Sequence, residues 1–478
     1  MCGIAGGNLF TEDTIQQSLD DTKHRGYDAQ QVFQDDEVFL GHNRLSIQDL
    51  SETANQPFTD TSGRYTIVYN GELWRSMTKY RESLEKKYEF RTTNSDTELL
   101  LYMFIEHGEE VFQLLDGMFS FAIYDKKEQK IWMGRDWIGR LPFYYYHRDG
   151  KLAFSSERKG LTKSLDTTNK FIKIVLPSHY YCFNMKAKTI EKARYYKIPD
   201  RIVEEPKEVI VKNIRKKIEL AVDNELISDV PVCTILSGGI DSVIITYLLS
   251  KKVKNLEAFV VSNGINERKK DDLYYARKAA EFMKIPLNEV IIDDEYVMSN
   301  LRDTVYAVED FKWVQVSPAV AQLPMSKAIH EKGYKVVFGG EGSDEIFGSY
   351  GHIFAFKWKD DDYHKARIDL IDKLHEKNLV RTNKAMMYGG TVELRTPFLD
   401  KDFVEYGLGI PPQYKKIDNH WKPLLREAFQ GEIPDDILWR PKKTFQVGCH
   451  TDFLQDHKEL MSGYFNDLFD QEKESIFW

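Results

Sequence analysis

Across residues 197–208 (Lys-Ile-Pro-Asp-Arg-Ile-Val-Glu-Glu-Pro-Lys-Glu) the hydrophobic rhythm of this chain changes, and that change limits what it can fold into. Before it, short alternating apolar segments stand between turns: Glu37–Leu40, Tyr65–Tyr69, Phe119–Tyr124, Ile131–Met133 and Lys151–Phe154. A period of two predicts antiparallel sheet. Asp149-Gly150 is a hairpin signal. One helix is expected over Asp96–His107, where Leu99, Leu100, Met103 and Phe104 share a face. After the change, a helix near 207–227 leads to a strand at 231–236 and a helix opening near Ser242. A strand at 256–261, a helix at 272–283, a strand at 287–292, helices to about 333 and a strand at 335–338 follow. Strand alternating with helix predicts a doubly wound parallel sheet. From about 352 the chain reads as mainly helical. The charged stretch with its two prolines is therefore expected to link a domain of residues 1–200 to one of residues 207–478.

Composition removes several function classes. The 478 residues exceed one ordinary core, and 42% hydrophobic with 13% aromatic content suffices to bury two. Net charge is −9 and no basic block is present, so nucleic acid is not expected as a partner. No apolar run reaches the roughly 20 residues that span a bilayer, so no membrane partner is expected. The N-terminal Met-Cys-Gly-Ile-Ala-Gly-Gly lacks the pattern of a signal peptide. Cys2, Cys182, Cys233 and Cys449 have no CxxC or Cys/His ligand spacing. Neither a disulfide framework nor a zinc site is predicted, and a cytoplasmic setting is expected.

Cys2 follows the initiator methionine. With Met1 removed, one residue carries a thiol and an α-amine, and an amine that titrates near pH ~8 acts as a base without large tuning. A lone cysteine is weak evidence. Four further motifs follow in order: His24-Arg25-Gly26, Gly41-His42-Asn43-Arg44-Leu45-Ser46-Ile47, Tyr69-Asn70-Gly71-Glu72 and Ser95-Asp96-Thr97-Glu98. Together with Met-Cys-Gly-Ile they resemble the glutaminase domain of class II glutamine amidotransferases over residues 2–195. The resemblance implies an α+β sandwich of the N-terminal-nucleophile hydrolase type, with two antiparallel sheets between helices. It implies Cys2 as nucleophile toward glutamine, with the Asn70 amide and the Gly71 N–H as oxyanion hole. Arg44 is implied to pair with the substrate carboxylate, with Leu45 and Ile47 beside it, and Glu72 and Asp96 to take the α-ammonium. Tyr27 departs from the family, which has proline there. His24 and His42 are expected to pack or hydrogen-bond rather than catalyse.

Pro231–Ser242 reads as an apolar strand, a Ser/Gly turn and a helix start. Glycines let N–H groups approach an anion, and a helix N-terminus adds positive dipole, so this turn suits a phosphate. It is not a Walker A loop, because the Gly-Lys-Ser/Thr ending is missing. Asp241 repels a polyphosphate unless a cation intervenes, which implies Mg2+. Ser237-Gly238-Gly239-Ile240-Asp241-Ser242 resembles the pyrophosphate loop of ATP pyrophosphatases.

The acidic loop Gly339-Gly340-Glu341-Gly342-Ser343-Asp344-Glu345 follows another apolar strand, where open parallel sheets bind ligands. It resembles the second signature of the asparagine synthetase family. That resemblance implies Asp344 beside Asp241 around magnesium, and Glu341 as a general base or acceptor-positioning group. It places Gly339 and Gly340 at the nucleotide, and Ile235, Leu236 and Val261 around adenosine. Val392–Asp400 and Trp439–Phe445 continue the match. Lys442 aligns with a lysine that stabilises adenylation, and Lys443 is its rival.

The whole resembles a glutamine-hydrolysing asparagine synthetase. It implies ATP as co-substrate, Mg2+, aspartate as acceptor and, by analogy, a homodimer. Residues 311–322 and 262–272 depart from the family pattern, so a sugar acid, a peptide carboxylate or another amino acid stands beside aspartate as acceptor. Lactam-forming relatives need no glutamine, which the retained Cys2, Arg44, Asn70, Glu72 and Asp96 count against. Phosphoribosyl amidotransferases lack the Ser-Gly-Gly-x-Asp-Ser loop. A non-catalytic scaffold would have lost catalytic groups, and none is missing.

Overall fold

The computed structural model describes residues 1–263, 272–349, 360–376, 378–417, 420–440 and 451–469. Twelve strands precede residue 195: β1 (Gly3–Gly7), β2 (Ala29–Gln34), β3 (Phe39–Arg44), β4 (Phe58–Thr59), β5 (Tyr65–Leu73), β6 (Gly117–Asp125), β7 (Lys130–Arg135), β8 (Tyr144–Arg148), β9 (Lys151–Ser155), β10 (Lys173–Ile174), β11 (His179–Asn184) and β12 (Thr189–Arg194). They form two six-stranded antiparallel sheets, ordered β10-β8-β9-β1-β3-β2 and β12-β11-β7-β6-β5-β4. Ile4, Leu40, Leu152 and Phe154 of the first face Val68, Ala122, Ile131 and Met133 of the second. Helix Glu12–Asp21 covers one outer face through Ile15 and Leu19. Helix Asp96–His107 covers the other through Leu99, Leu100, Met103 and Phe104. The expected hairpin turn joins β8 to β9, with Asp149 at φ 52° and Gly150 at φ 72°. Positive φ at both turn residues is what a two-residue turn between twisted strands requires.

Five parallel strands follow: β13 (Val232–Ile235), β14 (Ala258–Ser262), β15 (Leu287–Ile291), β16 (Val336–Phe338) and β17 (Glu393–Arg395). Their order is β15-β14-β13-β16-β17. Side chains alternate between two cores, as a period of two demands. Val232, Ala258, Val260 and Val336 face helices Lys207–Glu225 and Ile240–Ser250. Cys233, Phe259, Val261 and Val337 face helices Trp313–Glu331 and Leu379–Gly390. The sheet is doubly wound, and its strand order reverses between β13 and β16. The carboxyl ends of those two strands therefore open a crevice.

After 352 the described residues are mainly helical, as expected, but they also return one strand to the sheet, β17. It pairs in parallel with β16, Val336 opposite Glu393 and Phe338 opposite Arg395. Two of its three residues are charged, so hydropathy gave no strand signal. Their charges are neutralised locally: Arg395 Nε donates to Glu393 Oε1 at 2.8 Å, and both side chains are fully buried.

Residues 197–206 carry no helix or strand, yet they are held down. Ile198 is buried, and the Val203 N–H donates to the Gly409 carbonyl at 2.7 Å. Between the halves lies a buried ion network. Glu157 accepts from Arg25 NH1 at 2.7 Å and from Lys159 Nζ at 2.6 Å. Glu309, from the other half, accepts from the Lys159 backbone N–H at 2.6 Å and pairs with Lys384. All these side chains are 2% exposed or less. Removing one member leaves buried charges unpaired, which costs about 3–5 kcal/mol. Glu157→Ala should therefore lower stability by about that amount in urea denaturation, whereas Glu106→Ala, at an exposed and solvent-screened pair, should leave it nearly unchanged.

Candidate active sites

The first site lies where β1, β3 and β5 converge. The Cys2 Sγ sits against strand-end backbone, receiving the Leu45 N–H at 3.4 Å and donating to the Leu45 carbonyl at 3.7 Å. Burial raises its thiol, outweighing the smaller downward pull of the nearby chain-terminal ammonium. A pocket at this point is bounded by Cys2, Arg44, Ile47, Gly71, Glu72 and Asp96 among others. Asn70 is fully buried; its Nδ2 is 3.4 Å from Ser120 Oγ, and its Oδ1 has no hydrogen-bond partner. A Cβ at Gly71 would stand 2.3 Å from the Met118 carbonyl oxygen, so β5 reaches β6 this closely only with glycine there.

Glu72 and Asp96 are the pocket's anions. Asp96 accepts from the Tyr69 hydroxyl and the Leu73 N–H, both at 3.0 Å, and burial lifts its carboxyl to about 6. Burial, and then the Glu393 charge, push Glu72 well above the usual carboxylate range. Glu72 takes a hydrogen bond from Gln48 and lies 3.6 Å from Arg395 of β17. Arg44 lines the pocket, but its terminal nitrogens are engaged by the 49–55 loop: NH1 donates to the Ser51 carbonyl at 2.7 Å and to Asn55 Oδ1 at 2.6 Å, and NH2 donates to the Asp49 carbonyl. His42 donates to the Tyr69 carbonyl, and burial lowers its imidazole to about 3, so it is neutral. His24 lies against Glu157 at 3.1 Å. Tyr27, where the family has proline, is 61% exposed. Met1 is buried beside this pocket, its ammonium 3.1 Å from Glu393 Oε2. While Met1 is attached, the nitrogen of Cys2 is an amide and not a base.

The second site is the crevice between β13 and β16. Leu236, Ser237, Gly238 and Gly239 leave β13, and Asp241 and Ser242 open the helix that follows. The Ser242 hydroxyl bonds back to the turn: it accepts from the Ser237 N–H at 3.1 Å and donates to the Gly239 carbonyl at 3.0 Å. Gly238 has φ 69°, and a Cβ there would meet Ala276 N at 2.6 Å. Ile235, partly buried, ends β13, and Val261, buried, is the next-to-last residue of the adjacent β14. Gly339 and Gly340 leave β16, and the Gly339 N–H donates to the Arg395 carbonyl at 2.9 Å. A Cβ on Gly340 would stand 2.8 Å from both Asp241 Cβ and Ser242 N, so the two loops touch at this glycine. Burial raises the Glu341 carboxyl, and its Oε2 is enclosed without a hydrogen-bond partner.

The structure brings Asp241 and Asp344 together around a cation that sequence patterning does not single out, Lys422. Lys422 Nζ lies 2.7 Å from both Asp241 oxygens and 2.7 Å from Asp344 Oδ1. Burial draws this ammonium down, and the two carboxylates outweigh burial and raise it. The one available signal was a lysine directly before Pro423, and a single lysine in a polar stretch reads as surface. Two hard oxygen donors suit magnesium, which commonly takes one or two carboxylates and fills its remaining positions with phosphate oxygens and water. Lys442 and Lys443 lie outside the described residues, as do residues 264–271 of the divergent stretch. Residues 313–322 of the other stretch open helix Trp313–Glu331.

Residues 1–201 match a family model described as a glutamine amidotransferase domain. Residues 213–371 and 355–477 match one described as asparagine synthase. An amidotransferase half and a synthetase half thus share one chain. A probable glutamine-hydrolysing asparagine synthetase of Schizosaccharomyces pombe is 32% identical, over 96% of this chain and 87% of its own. Asparagine synthetase B of Escherichia coli is 30% identical over 98% and 86%. A rice (Oryza sativa) asparagine synthetase is 31% identical over 95% and 78%. The chain belongs to the glutamine-hydrolysing asparagine synthetase family, whose members are ATP-dependent carbon–nitrogen ligases with glutamine as amide donor.

The contact at Gly340 generates a test. Gly340→Ala should weaken ATP binding on the order of tenfold or more, because the loops must part. Glutamine hydrolysis without acceptor should continue at the wild-type rate. Nucleotide titration alongside a glutamate-release assay checks both.

Proposed function

We propose that this chain makes asparagine from aspartate, with residues 1–200 releasing ammonia from glutamine and residues 207–478 activating the acceptor. The observation that carries the proposal is the pairing, in one molecule, of a buried N-terminal thiol pocket with a doubly wound crevice holding two carboxylates, joined through β17. The names of relatives at 30–32% identity favour aspartate over other carboxylates. A cytoplasmic setting fits these substrates.

The chemistry follows from the groups present. With Met1 removed, the Cys2 amine takes the thiol proton and Sγ attacks the glutamine amide carbon. Asn70 Nδ2 and the Gly71 N–H are the donors for the resulting oxyanion, each of a kind typically worth about 3 kcal/mol of barrier. Glu72 and Asp96 hold the substrate ammonium, and Arg44 its carboxylate. Ammonia leaves, and water hydrolyses the thioester to glutamate. In the crevice, the acceptor carboxylate attacks the α-phosphorus of ATP and pyrophosphate departs. Ser237, Gly238, Gly239 and Ser242 cradle the phosphates, with Ile235, Leu236 and Val261 toward the nucleoside. Asp241 and Asp344 would hold Mg2+, which neutralises phosphate charge. Ammonia then attacks the acyl-adenylate carbonyl and AMP leaves. Glu341 is assigned to accept the proton that ammonia loses or to position the acceptor; burial raises its carboxyl, which supports the first role. Lys442 is assigned to stabilise the adenylating charge.

Three outcomes are expected. Incubated with glutamine, Mg-ATP and a panel of carboxylates, the enzyme should release AMP and pyrophosphate with aspartate; AMP release only with another acid would replace the substrate. Cys2→Ala should abolish glutamine use and keep synthesis from ammonium salts, and intact mass should show that the active wild-type chain lacks Met1. Because Glu72 and Asp96 hold an ammonium only as carboxylates and burial raises both, kcat/KM for glutamine hydrolysis should fall as pH is lowered, with Asp96 adding about tenfold per unit below about 6.

A further inference from the structure

The lysine between the two crevice carboxylates has a consequence for how the enzyme loads. We propose that Lys422 is a resident cation that excludes a divalent ion from Asp241 and Asp344 until nucleotide phosphates arrive, so that metal enters only together with ATP. This rests on the reading of Asp241 and Asp344 as the metal carboxylates.

The geometry is specific. The ammonium is shared by three carboxylate oxygens at 2.7 Å, and its side chain is 2% exposed. The two carboxylates keep 23% and 30% of their surface, and Asp344 Oδ1 also accepts from the Ser349 hydroxyl at 2.8 Å. Lys422 is also aimed by its backbone. Its φ is 59°, a conformation few residues with a Cβ adopt, and its N–H donates to the Lys415 carbonyl at 3.3 Å. Its own carbonyl accepts from the Arg426 N–H at 3.1 Å, and Pro423 at the first turn of the next helix restricts its ψ.

The charge arithmetic gives the order of events. Two carboxylates and one ammonium leave a single negative charge, and a divalent ion at the same oxygens would face the ammonium at contact distance. Like-charge repulsion in a partly desolvated crevice opposes its entry. A polyphosphate reverses the balance, because its oxygens are competing acceptors beside the Ser237–Ser242 loop. The lysine's flexible four-carbon stem lets the ammonium swing to phosphate while the ion takes the carboxylates. Each cation is then paired, and neither carboxylate is left bare at any stage.

Mn2+ is the probe, and the free ion is read by electron paramagnetic resonance on the full chain. The wild type should bind essentially no Mn2+ alone and should bind it with a non-hydrolysable ATP analogue. Lys422→Met should bind Mn2+ without nucleotide roughly tenfold or more tightly than the wild type, the effect of removing one like charge. Mn2+ alone should raise the melting temperature of Lys422→Met and not of the wild type. Lys422→Arg should keep the exclusion, and Lys422→Met with Asp344→Asn should lose the gained site. Wild-type uptake of Mn2+ alone, as tight as with the analogue, overturns the proposal. Absence of Mn2+ even with the analogue overturns the metal-site reading itself, and the proposal with it. If Lys422→Met does not fold, the wild-type titrations with and without analogue still decide.

Discussion

Arg395 is a guanidinium with no access to water, and the arrangement of the two sites depends on how it is paired. Its Nε holds Glu393 in the same strand, and NH1 holds the backbone carbonyl of Ile227 at 2.5 Å and that of Glu225. NH2 makes no hydrogen bond and lies 3.6 Å from Glu72 in the Cys2 pocket. Its own carbonyl fixes the Gly339 N–H at the mouth of the β13–β16 crevice. One three-residue strand thus touches both sites. A buried charge must satisfy its donors in place, because the penalty for an unpaired ion exceeds most packing gains. The strand therefore cannot slide or tilt without stranding a charge, and the two pockets share one reference frame.

The rest of the boundary follows the same logic. An apolar patch runs across it: Leu45, Ile47, Trp74 and Leu141 belong to one continuous cluster with Ile214, Leu399 and Phe403. Apolar contact is non-directional and would tolerate several orientations. The Glu157 and Glu309 networks select among them, since each carboxylate must meet cations carried on the chain at separate points. Transfer of a small reactive nitrogen species between two sites needs such definition, because ammonia that escapes to water is protonated and lost as a nucleophile.

Much of this was legible in the sequence. The period-two segments, the Asp149-Gly150 turn and the Asp96–His107 helix are local signals, and local signals survive into the fold. The two loops at β13 and β16 were legible because glycine spacing beside strands reflects steric need; Gly238 and Gly340 each stand where a Cβ would strike backbone. β17 was not legible. Its two charges pair with each other, and the guanidinium is completed by the Glu225 and Ile227 carbonyls, 170 and 168 positions away, which no window of sequence contains. Lys422 was hidden for the same reason. Its two partners lie 181 and 78 positions away in sequence, so its pairing is a product of topology.

These two misses share a physical cause that bears on how the enzyme works. Hydrophobic patterning reports where water is excluded, and both Arg395 and Lys422 are charges in places from which water is excluded. A fold retains such a residue only at a cost in desolvation, offset by close pairing. Glu393 accompanies Arg395 in its own strand, so that cost is met within three residues and the unit is permanent. Lys422 has no partner on its own element, and both its carboxylates face an open crevice. The first pairing is closed on all sides and serves as a fixed joint. The second borders an open crevice, where an incoming anion can compete with the carboxylates for the ammonium.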